Sequence, residues 1–339
     1  MIGNYIGKVS TADPLYEYLR WEIFPQVGAD ARDGIRVFET NGSNAVYIYE
    51  DRATCQRVVG KFFYSDRMDN WEVARRRLNR EYNNINEFRQ YLGNYHYVAR
   101  TLGRNETLNC LLVIEFCQGT TLDKILTRSF EEKNPELLYQ KLTALAYFLA
   151  TVHNRSARPE GVDFYDSCSY FDAVMLGASQ LMDSGEYNYF MRLKESWISE
   201  PAVWQDQKVL THGDATPSNF LFGDGLHVIS FDLERARRTD RVFDVGRIAA
   251  ELQHYFLRTT GNKYAAEPFI GHFLWEYACH FPDRESAFNS ICKRVPFYSG
   301  TNLLRISRNS YLDRAYRRLL IEEAKLSLKR CHYDQSDFF

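Results

Sequence analysis

Val209-Leu-Thr-His-Gly-Asp-Ala-Thr-Pro-Ser-Asn-Phe-Leu-Phe-Gly-Asp-Gly-Leu-His-Val-Ile-Ser-Phe-Asp-Leu-Glu234 is the stretch whose reading decides the fold. Two apolar runs, Phe220 to Phe222 and Leu226 to Ile229, flank Gly223-Asp-Gly225, which is the pattern of a β-hairpin around a short glycine-bearing turn. With Asp224 at the centre of that turn, Asn219 and Asp232 fall at the open end on opposite strands. Asp214 precedes Asn219 in a loop bent by Gly213 and Pro217. Three oxygen-bearing side chains are therefore expected to converge from neighbouring loops.

The residue types narrow the chemistry. A carboxylate and an amide oxygen, Asp232 and Asn219, are hard ligands suited to Mg2+, which keeps several waters and shares its shell with substrate phosphates. Asp214 is then free to orient a nucleophilic hydroxyl and accept its proton. That division of labour is phosphoryl transfer.

His212-Gly-Asp-Ala-Thr-Pro-Ser-Asn219 resembles the catalytic loop of the aminoglycoside phosphotransferase and choline kinase family, and Phe231-Asp-Leu-Glu234 resembles its metal-binding loop, with a DFE-like triplet. The 18-residue interval from Asp214 to Asp232 fits that pattern, as does the 12-residue interval from Asp232 to Asp244 in Val242-Phe-Asp-Val-Gly246. The resemblance implies an α+β, two-lobed protein-kinase-like fold: a small antiparallel β-sheet lobe and a mainly α-helical lobe. It implies Asp214 as the catalytic residue, Asn219 and Asp232 as metal ligands, and Asp244 as a support that bonds to the catalytic-loop backbone. His212 is read as packing beneath that loop and holding its backbone.

Upstream, short β-rich runs at Ile35 to Glu39, Ala45 to Tyr49 and Arg57 to Tyr64 read as an antiparallel meander. The first turn holds Gly42 and would lie over nucleotide phosphates. In the third strand, alternation puts Val59, Lys61 and Phe63 on one face, so Lys61 must find an anion or leave the interior. Trp71 to Leu92 reads as a helix with Asp69 and Glu72 as a capping box. Its apolar stripe of Leu78, Ile85, Phe88 and Leu92 includes Glu81, whose inward carboxylate needs a cation, and Lys61 is the one available. In the family the corresponding pair holds the lysine against the nucleotide phosphates. Asn109 to Cys117 reads as a buried strand; by resemblance the backbone near Glu115 to Cys117 would pair with the adenine edge.

Length and composition set the frame. The 339 residues suffice for two lobes, divided here as an N-terminal extension (1–34), a nucleotide-binding lobe (35–117) and a helical lobe (118–339) carrying the catalytic hairpin and acceptor pocket. A hydrophobic fraction of 45%, a charged fraction of 25% and a net charge of −2 describe a folded chain with no call for a nucleic-acid partner. Cys55, Cys110, Cys117, Cys168, Cys279, Cys292 and Cys331 show no CxxC spacing, which suits free thiols in a reducing cytoplasm. No window approaches the roughly 18 apolar residues of a membrane span, and no signal pattern opens the chain. Helices are expected at Glu136 to His153, Asp244 to Leu257, Pro268 to Phe281 and Leu312 to Leu328; Arg155 to Gln207 shows no clear pattern.

The sequence thus points to an ATP- and Mg2+-dependent phosphotransferase acting on a hydroxyl of a small molecule, with GTP left open and the oligomeric state unread. From Val245 onward, 14 Lys and Arg face 10 Asp and Glu, a balance that weighs against a polycationic aminoglycoside. Two rivals remain: a nucleotide-binding regulator without turnover, and a protein Ser/Thr kinase. The second finds no APE-like end to an activation segment after Asp232, and only a short interval before Asp244.

Overall fold

The computed structural model describes residues 3–40, 45–64 and 70–329. They form two compact units. The first comprises Met1–Gln90, Tyr97–Gly119 and Ile229–Arg235, and the second comprises Tyr91–His96, Thr120–Val228 and Ala236–Phe339.

In chain order the first part of the protein contains β1 (Asn4–Lys8), α1 (Pro14–Tyr18), β2 (Ile35–Glu39), β3 (Ala45–Asp51), β4 (Arg57–Phe62), α2 (Trp71–Arg89), β5 (His96–Val98), β6 (Thr101–Asn105) and β7 (Leu111–Glu115). The sheet of the first unit runs β1-β2-β3-β4-β7-β6. Every neighbouring pair is antiparallel, with Lys61 opposite Val46 on one side and Leu112 on the other. Alternation along β4 divides the labour of its two faces. Val58 joins Leu111 and Val113 in a core closed by Tyr16, Leu19, Ile23 and Phe24, which lie on α1, a π-helical turn at Leu19–Ile23 and a 3-10 turn at Phe24–Val27. The region expected as an extension is therefore a covering layer of the sheet. A Cβ at Gly103 would lie 2.8 Å from Ile23 Cδ1 and closer still to Tyr18 Oη, which is why β6 carries glycine there. Lys61 faces the other way, towards α2.

Three local readings change. The cap of α2 is Asn70, whose side chain accepts from Val73 N at 3.2 Å; Asp69 lies outside the described residues. Asn109 and Cys110 do not extend the strand but turn into it with φ of 52° each. The glycine-bearing turn extends beyond Gly223–Gly225: Gly223 N bonds to His227 O at 3.1 Å, and β11 begins only at Val228 rather than Leu226, which sits exposed in the turn.

The chain continues with β8 (Thr120–Thr121), α3 (Leu122–Glu131), α4 (Pro135–Ser156), α5 (Phe164–Ala178), α6 (Ser184–Ile198), β9 (Val209–Thr211), β10 (Phe220–Phe222), β11 (Val228–Ser230), β12 (Arg237–Thr239), α7 (Val242–Thr260), α8 (Glu267–Ala278), α9 (Arg284–Ser307) and α10 (Arg314–Lys329). Helix α7 starts two residues before Asp244, and Asp240 rather than Asp244 serves its first turn by accepting from Val242 N at 2.9 Å. Helix α9 escaped the sequence reading. It packs against α7 and α10, is buried on nearly every side from Ile291 to Ser307, and carries Pro296 inside it, so it shows neither an amphipathic stripe nor a clean run. No helix among the described residues is long and apolar enough to cross a membrane.

Helix α4 of the second unit presents Tyr147 and Phe148 to His96, at centroid distances of 4.5 and 5.3 Å. Burial in this apolar contact, and then Arg155 nearby, push the His96 imidazole down to about 4. The folded protein resists a proton that the unfolded chain accepts at an ordinary histidine value, so stability is lost as pH falls below about 6.5. Replacing His96 with Gln is expected to flatten the unfolding free energy between about pH 6.5 and about 4, a differential on the order of 2 kcal/mol for the wild type. Urea titrations of both proteins across that range check it; parallel curves would remove His96 from the account.

Candidate active site

Within the first unit, four charged side chains collect where β4, α2 and the Ile229–Arg235 segment meet. Lys61 Nζ lies 2.7 Å from Glu81 Oε2, 2.8 Å from Asp232 Oδ1 and 3.4 Å from Glu234 Oε2. Lys61 is 8% exposed and Glu81 2%, so each would be costly to bury without the other. Burial would push the ammonium down, but Glu81, Asp232 and Glu234 outweigh it and hold Lys61 above the ordinary lysine value. Glu81 moves up to about 7: burial is the largest cause, Lys61 opposes it, and Asp232 and Glu234 add repulsion.

The segment that brings Asp232 here is pinned and bent. Asn84 Nδ2 of α2 donates to Leu233 O at 2.7 Å, and Asp232 takes the left-handed conformation with φ of 61°, which aspartate tolerates better than most residues. Glu234, to which the sequence assigned no role, is held by Arg77 at 3.2 Å. Glu81, Asp232 and Glu234 offer carboxylate oxygens that all lie within 4.8 Å of one another. Three carboxylates here face Lys61 and Arg77, and burial first, with the neighbouring carboxylates adding to it, makes Glu81 resist ionisation. This donor set fits a hard divalent cation such as Mg2+.

Within the second unit, the His212–Asn219 loop is organised from beneath. Asp244 is fully buried and its carboxylate accepts from His212 N at 2.6 Å, Gly213 N at 3.0 Å and His153 Nε2 at 3.2 Å. Burial alone would push that carboxyl up; the hydrogen bond from His153, then the charge of His153 and His212, bring it below the ordinary range. Burial pushes His153 down in turn, against the pull of Asp244, and its Nδ1 lies 2.7 Å from Tyr277 Oη. His212 packs its ring on Phe220 at 5.1 Å and accepts from Asp214 N at 3.3 Å. Asn219 spends its NH2 on Asp214 O at 2.9 Å, so Oδ1 is the atom that could hold a metal.

Sequence reasoning missed the partner of Asp214. Arg247, one turn along α7 from Asp244 and fully buried, donates from Nη1 to Asp214 Oδ1 and from Nη2 to Tyr170 Oη at 2.6 Å. The position was accessible: Asp244 and Arg247 are spaced to share a helix face. Tyr170 lies on α5, in the stretch that gave no pattern.

Gly42 lies outside the described residues. Glu115 is committed within the sheet, its amide donating to Arg100 O at 3.0 Å and its Oε1 accepting from Arg100 N at 2.5 Å. Cys117 keeps a half-buried thiol that burial pushes up to about 12, which makes it unreactive.

This architecture recurs among solved structures. An ethanolamine kinase from Plasmodium vivax shares 15% identity over 97% of this chain and 91% of its own, with a TM-score of 0.58. Choline kinase from Cryptosporidium parvum shares 13% over 94% and 93%, at 0.57. An amicoumacin kinase in complex with AMP-PNP, Ca2+ and Ami shares 14% over 87% and 88%, at 0.59. The class is therefore the α+β kinase-like fold. No curated protein matches by sequence. The pattern of the phosphotransferase enzyme family does match, over residues 34–278, and the chain belongs to that family.

Proposed function

We propose that the protein transfers the γ-phosphoryl group of ATP to a hydroxyl of a small molecule. The observation that carries this reading is the buried Lys61–Glu81 pair with Asp232 and Glu234 around the same ammonium, in a chain of the phosphotransferase family. Asp214, held by Arg247, orients the acceptor hydroxyl and takes its proton. The acceptor oxygen bonds to the γ-phosphorus while the bond to the bridging oxygen breaks, and its electron pair leaves with ADP. Lys61 supplies positive charge to the phosphates, and Glu81 fixes its position. Asp232, with Glu234 beside it, would hold Mg2+, and Asn219 is kept as the expected amide ligand; the ion would supply positive charge to the phosphate oxygens. Adenine would rest against the backbone near Cys117, since the Glu115 amide is already occupied. The ethanolamine and choline kinases among the structural neighbours support a small hydroxyl compound as acceptor.

Phosphate transfer from ATP across a panel of hydroxyl compounds, with and without EDTA, tests the reading. Transfer that EDTA abolishes and Mg2+ restores is expected. Nucleotide binding with no transfer to any acceptor would favour a regulator instead. In Lys61→Met, kcat/KM is expected to drop about a hundredfold, since a charge aimed at the phosphates is lost. An unchanged kcat/KM would take Lys61 out of the site.

A further inference from the structure

Beside Asp214 three arginines gather. Arg237 on β12 and Arg247 on α7 flank the same two rings. The Arg237 guanidinium lies 4.6 Å from the Phe243 centroid and 5.7 Å from that of Tyr170, and Arg247 lies at 5.3 and 5.8 Å. Arg305 of α9 stands close enough to Arg247 to lower its basicity, second only to burial. Two of these three cations are matched, Arg247 by Asp214 and Arg305 by Glu251. Among the described residues Arg237 enters no ion pair.

The donors left over are specific. Arg247 Nε and Arg237 Nη2 are both buried without a hydrogen-bond partner. Each such donor costs about 1–3 kcal/mol in a folded protein. Stacking on Phe243 and Tyr170 explains where the guanidiniums lie, but it requires no orphaned N–H. Asp214, Tyr170 and Arg237 remain partly exposed, so the group reaches solvent at these residues while the unpartnered nitrogens lie beneath them. A pocket built for a quaternary or primary amine would show the reverse, with carboxylates in surplus beside the rings.

We propose that the acceptor is an acid-bearing hydroxyl compound whose carboxylate or phosphate group is received by Arg237 and the free Nε of Arg247, placing its hydroxyl at Asp214. The inference rests on the phosphotransferase reading and names its substrate class. Guanidinium forks suit both anions, because planar paired N–H donors match their oxygens.

The test uses the full chain with Mg-ATP and matched acceptors: hydroxy-carboxylates with their methyl esters, sugar phosphates with the free sugars, and amino alcohols. The acid-bearing members should be phosphorylated at least about tenfold more efficiently than their neutral partners, because one charged hydrogen bond is worth that much. The two acid arms decide between carboxylate and phosphate. Arg237→Gln should raise KM for the acid-bearing acceptor about tenfold or more, with the smaller part of the loss in kcat, and Arg237→Lys should recover part of it. Preference for amino alcohols or neutral partners, or an unchanged KM in Arg237→Gln, overturns the proposal while leaving phosphoryl transfer intact. If nothing in the panel is phosphorylated, calorimetry with malonate and inorganic phosphate separates the two ideas. Binding by the wild type but not by Arg237→Gln supports the anion site and sinks the transferase reading, whereas binding by neither protein sinks both.

Discussion

Asp214→Asn should lower kcat for phosphoryl transfer by about 10²–10⁴, the range expected when a positioned general base is removed. The loose transition state of phosphoryl transfer asks for positioning more than for proton abstraction, so the lower half of that range is the expectation. Asn is the informative replacement. Its amide oxygen still accepts from Arg247 Nη1, whereas Ala would also strand that buried donor, at a further cost of about 1–3 kcal/mol. Nucleotide affinity should stay within about twofold, because in the proposed mechanism Asp214 serves the reacting hydroxyl and not ground-state binding of the nucleotide. Single-turnover rates together with calorimetric titration of an ATP analogue measure both quantities. A variant with wild-type turnover would mean that some other group receives the proton.

Asp244→Ala should produce the largest loss of stability in the second unit. The carboxylate satisfies three donors at once, His212 N, Gly213 N and His153 Nε2, in a place with no exposure. Each donor stranded there costs about 1–3 kcal/mol, and solvent cannot enter to relieve it without disrupting the packing of α4 and α7. A total of roughly 3–5 kcal/mol is expected, a large part of what a domain of this size has in hand. Urea midpoints read it directly. Transfer activity should fall too, since the two amides position the backbone that carries Asp214; a stable variant would mean that water or a rotated side chain replaces the acceptor.

The fold was legible where chemistry forces a pattern. The Gly223–Gly225 turn, the strand alternation around Lys61 and the stripe of α2 all reflect a single buried face, which period and punctuation reveal. Glu81 could be assigned because an acid on an apolar stripe demands a partner. Arg247 and Tyr170 could not, because their meaning depends on which helix lies opposite, and α5 and α9 are packed on too many sides to show a stripe. Pro296 hid a long helix for a related reason: tertiary packing tolerates a break that propensity alone would forbid. Glu234 stood in the quoted stretch throughout, yet only coordinates show it sharing a cation with Asp232.

Because the layer made by Leu19, Ile23 and Phe24 rests on the face of β4 opposite Lys61, the strand is held like a shelf between two bookends. Alleles that trim an apolar side chain there would loosen the shelf before they unfold the molecule. On the proposed mechanism such variants would saturate poorly with nucleotide, a defect arising away from the Lys61 ammonium.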